Sequence, residues 1–279
     1  MPGGYAEAVR AAAGLLALSA RADGESFAAS VPEPSCVGPP GRQFLFGGVA
    51  LAAVVEAMER RAGQPATFAA VQFLTQVRPG DRLRFDAALA ADGRTVRQCG
   101  ITGWCGDTLF LQGHGACGGR DDLAAHQGAA MPAVPPPEAC PERSVARLLS
   151  SNLNALLEFR LAGGEFPDRA EWEGRGGIDL LCWVRSRNGA RLDRRLLAVI
   201  ADCAALALAG ALGRPASGSS LDNAIRFLAE PVSEWTLARM RVEGIGNGIA
   251  HVSTRLFAQN GALLAVADQS MLLRAATTG

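Results

Sequence analysis

The chain has 279 residues, of which 49% are apolar and 19% charged, and its 27 basic side chains balance 27 acidic ones. A chain of this length forms two domains or one large domain. The neutral balance argues against nucleic acid or a membrane surface as the main partner, because both attract proteins with a basic face.

The basic residues are all arginine, which together with the many alanines and glycines is typical of GC-rich coding. A surface of arginines selected to bind anions is the alternative interpretation.

Seven cysteines are present without a CxxC pair, which favours reduced thiols that pack in the core. Cys99, Cys105 and Cys117 lie near His114 in the sequence, but zinc ligands usually come in closely spaced pairs, so we predict no metal and no cofactor. The first residues lack the basic start of a secretory leader, and no apolar run approaches the length of a membrane span. We therefore expect a soluble, cytoplasmic protein.

The first half of the chain predicts a short strand, a buried helix and a run of strands. The helix covers residues 46–61, is apolar on most of its surface and is stopped by Gly63 and Pro65. Strand-length segments precede and follow it, with turn residues between them. They are residues 25–31, 68–77, 81–91, 95–104 and 109–116.

A polar, proline-rich segment at residues 119–145 then reads as a linker between a unit at 1–118 and a unit at 146–279. The second unit repeats the order of the first, with a long apolar helix at 192–212. Its strand candidates are residues 153–161, 178–186, 219–228, 236–243, 249–259 and 263–273.

A short internal repeat supports duplication of one unit. The segment Val71-Gln72-Phe73-Leu74 resembles Ile225-Arg226-Phe227-Leu228, which lies 154 residues later, and a proline follows each. A helix followed by an antiparallel meander, twice, predicts an α+β protein. The predicted fold is a double hotdog, in which each of two tandem units wraps a curved antiparallel sheet around a long helix.

Asp202 is the most informative single residue, because it is the only charge between Arg195 and Arg214 in an apolar helix. Burial of a carboxylate in such a helix reduces the free energy of unfolding by roughly several kcal/mol unless the carboxylate is hydrogen-bonded. It is therefore either a structural partner or a functional group. Gln269 lies in an apolar strand, and the alternative to a functional role is a core glutamine that is hydrogen-bonded for structural reasons. Ser220, taken alone, is also compatible with a turn residue that opens a strand.

Several motifs in order resemble the acyl-CoA thioesterase II family over nearly the whole chain. They are Phe46-Gly47-Gly48, Val71-Gln72-Phe73-Leu74 with Arg78-Pro79-Gly80-Asp81, Ser220-Leu221-Asp222-Asn223, Glu234-Trp235, and Gln259-Asn260-Gly261 through Ala267-Asp268-Gln269. The resemblance implies that Asp202, Ser220 and Gln269 jointly hold the water that attacks an acyl-CoA or related acyl-thioester substrate. The family's usual aromatic and histidine neighbours are replaced here by Ala224, Ile225 and Arg226.

Mechanistically, Asp202 would be the general base, and Gly47 and Gly48 at a helix start are candidates for the oxyanion site. The helix of the first unit carries Glu56 and Glu59 late in its sequence, so we expect no acid equivalent to Asp202 and one working site per chain. A non-catalytic acyl-thioester-binding protein and an enoyl-thioester hydratase are the alternatives. Exposed sheet edges predict a homodimer or a dimer of dimers.

Overall fold

A computed structural model describes residues 15–120, 122–145, 151–164, 179–212, 216 and 218–274. Within them, the helices are α1 (Gly47–Ala62), α2 (Ser151–Leu156), α3 (Arg194–Ala201) and α4 (Ala205–Leu212), and short 3-10 helices cover Glu33–Ser35, Pro137–Ala139 and Asp202–Ala204. The strands are β1 (Ser19–Ala20), β2 (Ser26–Ser30), β3 (Cys36–Val37), β4 (Phe44–Leu45), β5 (Ala66–Phe73), β6 (Arg82–Asp92), β7 (Val96–Cys105), β8 (Thr108–Gly118), β9 (Glu142–Arg143), β10 (Leu157–Gly163), β11 (Asp179–Ser186), β12 (Gly218–Phe227), β13 (Thr236–Gly246), β14 (Ile249–Ala258) and β15 (Leu263–Leu273).

The strands, apart from the separate pair β3–β4, form a continuous antiparallel sheet with a mirrored order. It runs β1-β2-β6-β7-β8-β5-β12-β15-β14-β13-β11-β10-β9. Reading outward from the central β5–β12 pair, β8, β7, β6 and β2 in one half correspond to β15, β14, β13 and β11 in the other. This arrangement confirms the predicted double hotdog, with both halves contributing to one sheet and one main core.

The two central helices pack against each other inside the sheet. Helix α1 consists mostly of alanine and valine, so nearly all of its surface is buried, and it ends as predicted at Gly63, which adopts a left-handed conformation with φ 65°. Helix α3 contacts α1. Asp193 caps the start of α3, since its side chain accepts a hydrogen bond from the Leu196 N–H at 2.9 Å.

Two predicted elements differ from the structure. The helix expected at 192–212 is divided into α3 and α4 by the 3-10 turn at Asp202–Ala204. The strand expected from residue 153 begins instead as α2 and becomes extended only at Leu157. The Asn154 side chain accepts a hydrogen bond from the Val145 N–H at 2.8 Å, a local contact that a pattern of apolar residues does not reveal.

The expectation that no segment could span a membrane is also corrected. Residues Arg194–Leu212 are long and apolar enough by length and composition, yet 72% of the most apolar part lies buried inside the protein. Core helices share this composition with membrane helices because both are surrounded by apolar groups on all sides.

Where it is described, the predicted linker is mostly coil, interrupted by the 3-10 helix Pro137–Ala139 and by β9, and it packs on the second half of the sheet. Gln127 donates to the Gly261 carbonyl at 3.0 Å, and the Trp183 indole N–H donates to the Pro135 carbonyl at 2.9 Å. Cys140 joins Trp183, Trp235 and neighbouring strand residues in a small apolar cluster separate from the main core. Residues 122–145 are therefore attached to the second unit.

Candidate active site

Asp202 lies buried where α3 gives way to the 3-10 turn, and it is only 3% exposed. Its Oδ2 accepts a hydrogen bond of 2.7 Å from the Gly48 N–H at the start of α1. Its Oδ1 accepts another of 2.9 Å from the Asn223 side-chain amide on β12. The carboxylate thus joins the helix of one half to the helix start of the other through two uncharged donors.

Both glycines at the start of α1 are required by this close approach. A Cβ on Gly48 would lie 2.8 Å from the Asp202 Cβ and from the Val199 carbonyl oxygen. A Cβ on Gly47 would lie 2.9 Å from Asp202 Oδ2 and 3.1 Å from the Phe73 ring. Because the first amides of a helix are unpaired within it and carry partial positive charge, the contact also compensates the carboxylate.

Asn223 and Gln269 face each other on the neighbouring strands β12 and β15. The Asn223 amide nitrogen that reaches Asp202 also donates to Gln269 Oε1, at 3.1 Å. Both side chains are buried, and Asn223 Oδ1 and Gln269 Nε2 have no hydrogen-bond partner among the described residues. Buried polar atoms are normally paired, so one acceptor and one donor near Asp202 remain that a bound water could satisfy.

Burial raises the pKa of Asp202 from 3.8 to about 7, because removal of the carboxylate from water outweighs the hydrogen bonds from Asn223 and Gly48, which lower it. A carboxylate with a pKa near neutrality can both take up and release a proton at physiological pH. Asp202 therefore has the pKa that suits a general base.

Asp202 lines an apolar cavity of about 570 Å³ that is built from both halves of the chain. The first half supplies the aromatic walls, including Phe44, Phe73 and Phe110, and the second half supplies Leu208 and Met271. A cavity of this size with one carboxylate against its wall has the character of a small-molecule site.

The structure brings two of the three predicted water-binding residues into one hydrogen-bonded chain, from Asp202 through Asn223 to Gln269. Ser220 lines the same cavity, but within the described residues its side chain has no hydrogen bond to that chain. Of the two oxyanion candidates, Gly48 donates its N–H to Asp202. The Gly47 N–H has no acceptor among the described residues, and Gly47 lines the cavity.

Asn223 was missed by the sequence analysis. The sequence signal for Asn223 is the alternation of buried and exposed residues along β12. The buried residues of this strand are Asn223, Ile225 and Phe227, and only Asn223 is polar. A register shift between Ser220 and Asp222 obscures this pattern, since it changes which residues share a face.

With this geometry established, two family models match the chain. The acyl-CoA thioesterase N-terminal domain matches residues 36–116, and the acyl-CoA thioesterase C-terminal domain matches residues 132–273. This chain belongs to the acyl-CoA thioesterase family. It is a thioesterase, as the sequence motifs predicted.

Solved structures agree with this assignment. A candidate thioesterase from Novosphingobium aromaticivorans DSM 12444 is 31% identical to this thioesterase, with a TM-score of 0.83 over 93% of this chain and 99% of that chain. Acyl-CoA thioesterase II TesB2 from Mycobacterium marinum is 18% identical, with a TM-score of 0.71 over 96% of this chain and 99% of the other, and so supports the fold alone. A comparison with curated proteins found no match.

The first half of the thioesterase also carries a buried acid, although it does not stand at the position equivalent to Asp202. Glu56 is 5% exposed and lies nine residues after the first residue of α1, much as Asp202 lies eight residues after that of α3. Its carboxylate contacts Arg195, the second residue of α3, at 3.2 Å, as Asp202 contacts the second residue of α1. The two acids therefore make similar contacts with the opposite helix start, although Glu56 lies one residue beyond Val55, which matches Asp202 by position along the helix.

Glu56 lacks the polar neighbours of Asp202. The facing pair Asn223–Gln269 corresponds, 154 residues earlier, to the facing pair Ala69–Gly115 on β5 and β8. Neither of those residues can hold a water through its side chain. The first half therefore has no polar side chain at the two strand positions where Asn223 and Gln269 stand in the second.

Proposed function

We propose that this thioesterase hydrolyses acyl-CoA to a free carboxylic acid and CoA by direct attack of water. The observation that carries the proposal is Asp202, a buried carboxylate at the wall of an apolar cavity, held by two neutral donors and with a pKa of about 7. A general base of this kind activates water without a covalent intermediate.

In this mechanism a water bound beside Asp202 attacks the thioester carbonyl while the carboxylate takes its proton. The oxygen of the tetrahedral intermediate becomes negative, and the Gly47 N–H at the helix start donates to it. The C–S bond then breaks, the thiolate leaves as CoA and accepts the proton from Asp202, and the acid is released. The Ser220 hydroxyl and the Gln269 amide orient the water.

The cavity favours an acyl group as the part of the substrate that is buried. Its walls are largely apolar, and Arg274 is exposed among its lining residues with its guanidinium 3.0 Å from Ser219 Oγ. An apolar chain gains free energy on entering such a cavity, whereas the phosphates of CoA remain near solvent and positive charge.

No observation favours hydration of an enoyl thioester, which needs a histidine beside the acid. None of the three histidines lines the Asp202 cavity. His114 packs against Phe68, His126 lies in the coil after β8, and His251 contacts Ser270 at 3.2 Å.

The test is release of free thiol from short, medium, long and branched acyl-CoAs, with wild type beside Asp202→Asn. Asparagine keeps the shape of the side chain but cannot accept the proton. We expect wild type to turn over part of the panel and Asp202→Asn to lose about 10²- to 10⁴-fold in kcat, the usual contribution of a general base.

Glu56→Gln is the matched control, because it neutralises an equally buried carboxylate at a similar place in the other half. It should retain kcat within about twofold. Equal losses in the two folded variants would contradict the assignment of Asp202 as the base. Absence of turnover across the panel by folded wild type would instead favour a carrier-protein thioester or a binding role.

Cytoplasmic location and assembly into a homodimer or a dimer of dimers remain predictions. The two-residue strands β1 and β9 end the sheet and are exposed, and such short edges limit uncontrolled pairing between sheets.

A further inference from the structure

A second cavity, of about 950 Å³, lies between the two halves at the other end of the central β5–β12 pair. Its lining is mainly polar and includes three arginines, namely Arg94 in the β6–β7 turn, Arg120 after β8 and Arg194 at the start of α3. None of the residues assigned to hydrolysis lines it.

This second cavity corresponds to the Asp202 cavity under the internal repeat. Phe227, Leu228 and Glu230 line it where Phe73, Leu74 and Gln76 line the first, and each pair is 154 residues apart. Arg120 likewise corresponds to Arg274. At the helix starts, Arg194 is the first residue of α3 as Gly47 is of α1. The duplication has therefore left two clefts in one chain.

The inner end of the second cavity is closed to a thioester. Where Gly47 leaves room beside Asp202, the Arg194 side chain forms an ion pair with Glu230 and lies over the Phe227 ring, 5.7 Å from its centroid. At the position equivalent to Gln269, a side chain on Gly115 would overlap the Phe68 carbonyl oxygen and Met58 Cε. Glu56 does not line the cavity, and the two acids that do, Asp122 and Glu230, form ion pairs with Arg120 and Arg194, so the lining offers no carboxylate held by neutral donors as Asp202 is.

The outer part of the cavity keeps an excess of positive charge. Its three arginines outnumber its two acids: Asp122 pairs with Arg120 at 2.6 Å and Glu230 pairs with Arg194, which leaves Arg94 without a carboxylate partner among the lining residues. Two buried polar atoms in its lining, Gln64 Oε1 and Arg194 Nε, have no hydrogen-bond partner among the described residues. Guanidinium groups match phosphate in both charge and geometry.

We propose that this second cleft is a non-hydrolytic binding site for a phosphate-bearing ligand. Such phosphates are available from the nucleotide end of CoA or acyl-CoA, and from free nucleotides. Bound there, the ligand contacts α3 through Arg194, eight residues before Asp202.

The experiment is isothermal titration of the full chain carrying Asp202→Asn with three probes, namely pyrophosphate, 3′,5′-ADP and CoA. The Asp202→Asn background prevents turnover, so binding is measured whether or not hydrolysis is the protein's activity. Arg120→Ala and Arg274→Ala are added separately, since each removes the corresponding arginine from one cleft. Arg255→Ala, an exposed arginine outside both linings, controls for net charge.

We expect 3′,5′-ADP to bind with an affinity that falls about tenfold or more in Arg120→Ala and is unchanged in Arg255→Ala, as for loss of one charge-assisted hydrogen bond. CoA should show two sites per chain, with Arg120→Ala removing one and Arg274→Ala weakening the other. Preference for 3′,5′-ADP and CoA over pyrophosphate would identify the nucleotide as the source, and the reverse would identify free phosphates.

Absence of saturable binding by all three probes, or equal weakening by Arg120→Ala and Arg255→Ala, would overturn the proposal. Arg94→Ala provides a second variant at the cleft if Arg120→Ala fails to fold, and it carries the same expectation. A single CoA site abolished only by Arg274→Ala would also count against a second site.

Discussion

Two carboxylates, Asp202 and Glu56, lie at similar places in the two halves of this thioesterase and are almost equally buried, at 3% and 5% exposed. They differ in their partners. Asp202 is held by a backbone amide and a side-chain amide, both neutral, whereas Glu56 is held by the guanidinium groups of Arg195 and Arg60, at 3.2 and 3.4 Å.

The comparison shows that burial alone does not make a base. Neutral donors fix the position of Asp202 without compensating its charge in full, so the pKa of the carboxylate stays raised and it can take up a proton. Two cations compensate the charge of Glu56, and the strand positions equivalent to Asn223 and Gln269 hold Ala69 and Gly115. Under the proposed mechanism, duplication has left one reactive acid and one structural acid on the same scaffold.

The largest change in kcat that tests the comparison of the two halves is expected at Gly47. The equivalent first residue of α3 is an arginine, so this position differs between the two halves. Gly47→Pro removes the N–H proposed to bind the oxyanion, and proline is tolerated at the first position of a helix after an extended residue such as Phe46. Gly47→Ala adds the same Cβ but keeps the N–H. We expect kcat to be about 10²- to 10³-fold lower in Gly47→Pro than in Gly47→Ala.

Circular dichroism and thermal unfolding of both variants would show whether α1 is intact. Equal kcat values in two folded variants would mean that the Gly47 amide does not bind the oxyanion and that the crowding at Asp202 Oδ2 is the whole effect.

A smaller loss is expected at Asn223, which the first half replaces with Ala69. Asn223→Ala leaves Asp202 Oδ1 and Gln269 Oε1 without their shared donor, so the base loses its orientation. We expect kcat to fall about 10- to 100-fold while KM changes little. Asn223→Ser, which retains a donor, should recover part of kcat. A rise in KM alone would indicate that Asn223 contacts substrate and does not position the acid.

Asn223 also illustrates what the sequence could and could not predict. The fold was predictable, because a repeated motif, two apolar helices and turn residues agree with one architecture. Asp202 was predictable as a lone charge in an apolar helix. Asn223 was not, because its role depends on the register of β12 against β15 and on a bulge. The importance of Glu56 was hidden too, since only the packing of α1 against α3 brings Arg195 to it.

The raised pKa of Asp202 predicts a pH dependence that Glu56→Gln should leave intact. With a pKa of about 7, the base is protonated in acid, so kcat/KM should rise about tenfold per pH unit below 7 and level off above it. A profile that is flat between pH 5.5 and 8 would contradict Asp202 as the titrating base. Rates measured at saturating acyl-CoA report the pKa in the enzyme–substrate complex, whereas rates at low acyl-CoA report the pKa in the free enzyme.

The same shift predicts how stability changes with pH. Because the pKa is higher in the folded chain than in the unfolded one, the folded state holds an extra proton between about pH 4 and 7. The stability from this group is therefore present below about pH 4 and is lost as the pH rises through 7. Urea unfolding should show that the free energy of unfolding of Asp202→Asn rises relative to that of wild type from pH 5 to pH 8.

The smallest effect is expected at the structural acid. Glu56→Gln removes one charge from a cluster in which Arg195 keeps its contact with Asp193 at 2.5 Å, so the loss is partly compensated. We expect the free energy of unfolding to fall by about 1–3 kcal/mol, between the values for exposed and buried ion pairs. At pH 8 this sign is opposite to that of Asp202→Asn. If Glu56→Gln instead stabilises the protein, then Glu56, like Asp202, lowers the stability of the wild type. Such a result would indicate a functional role for Glu56.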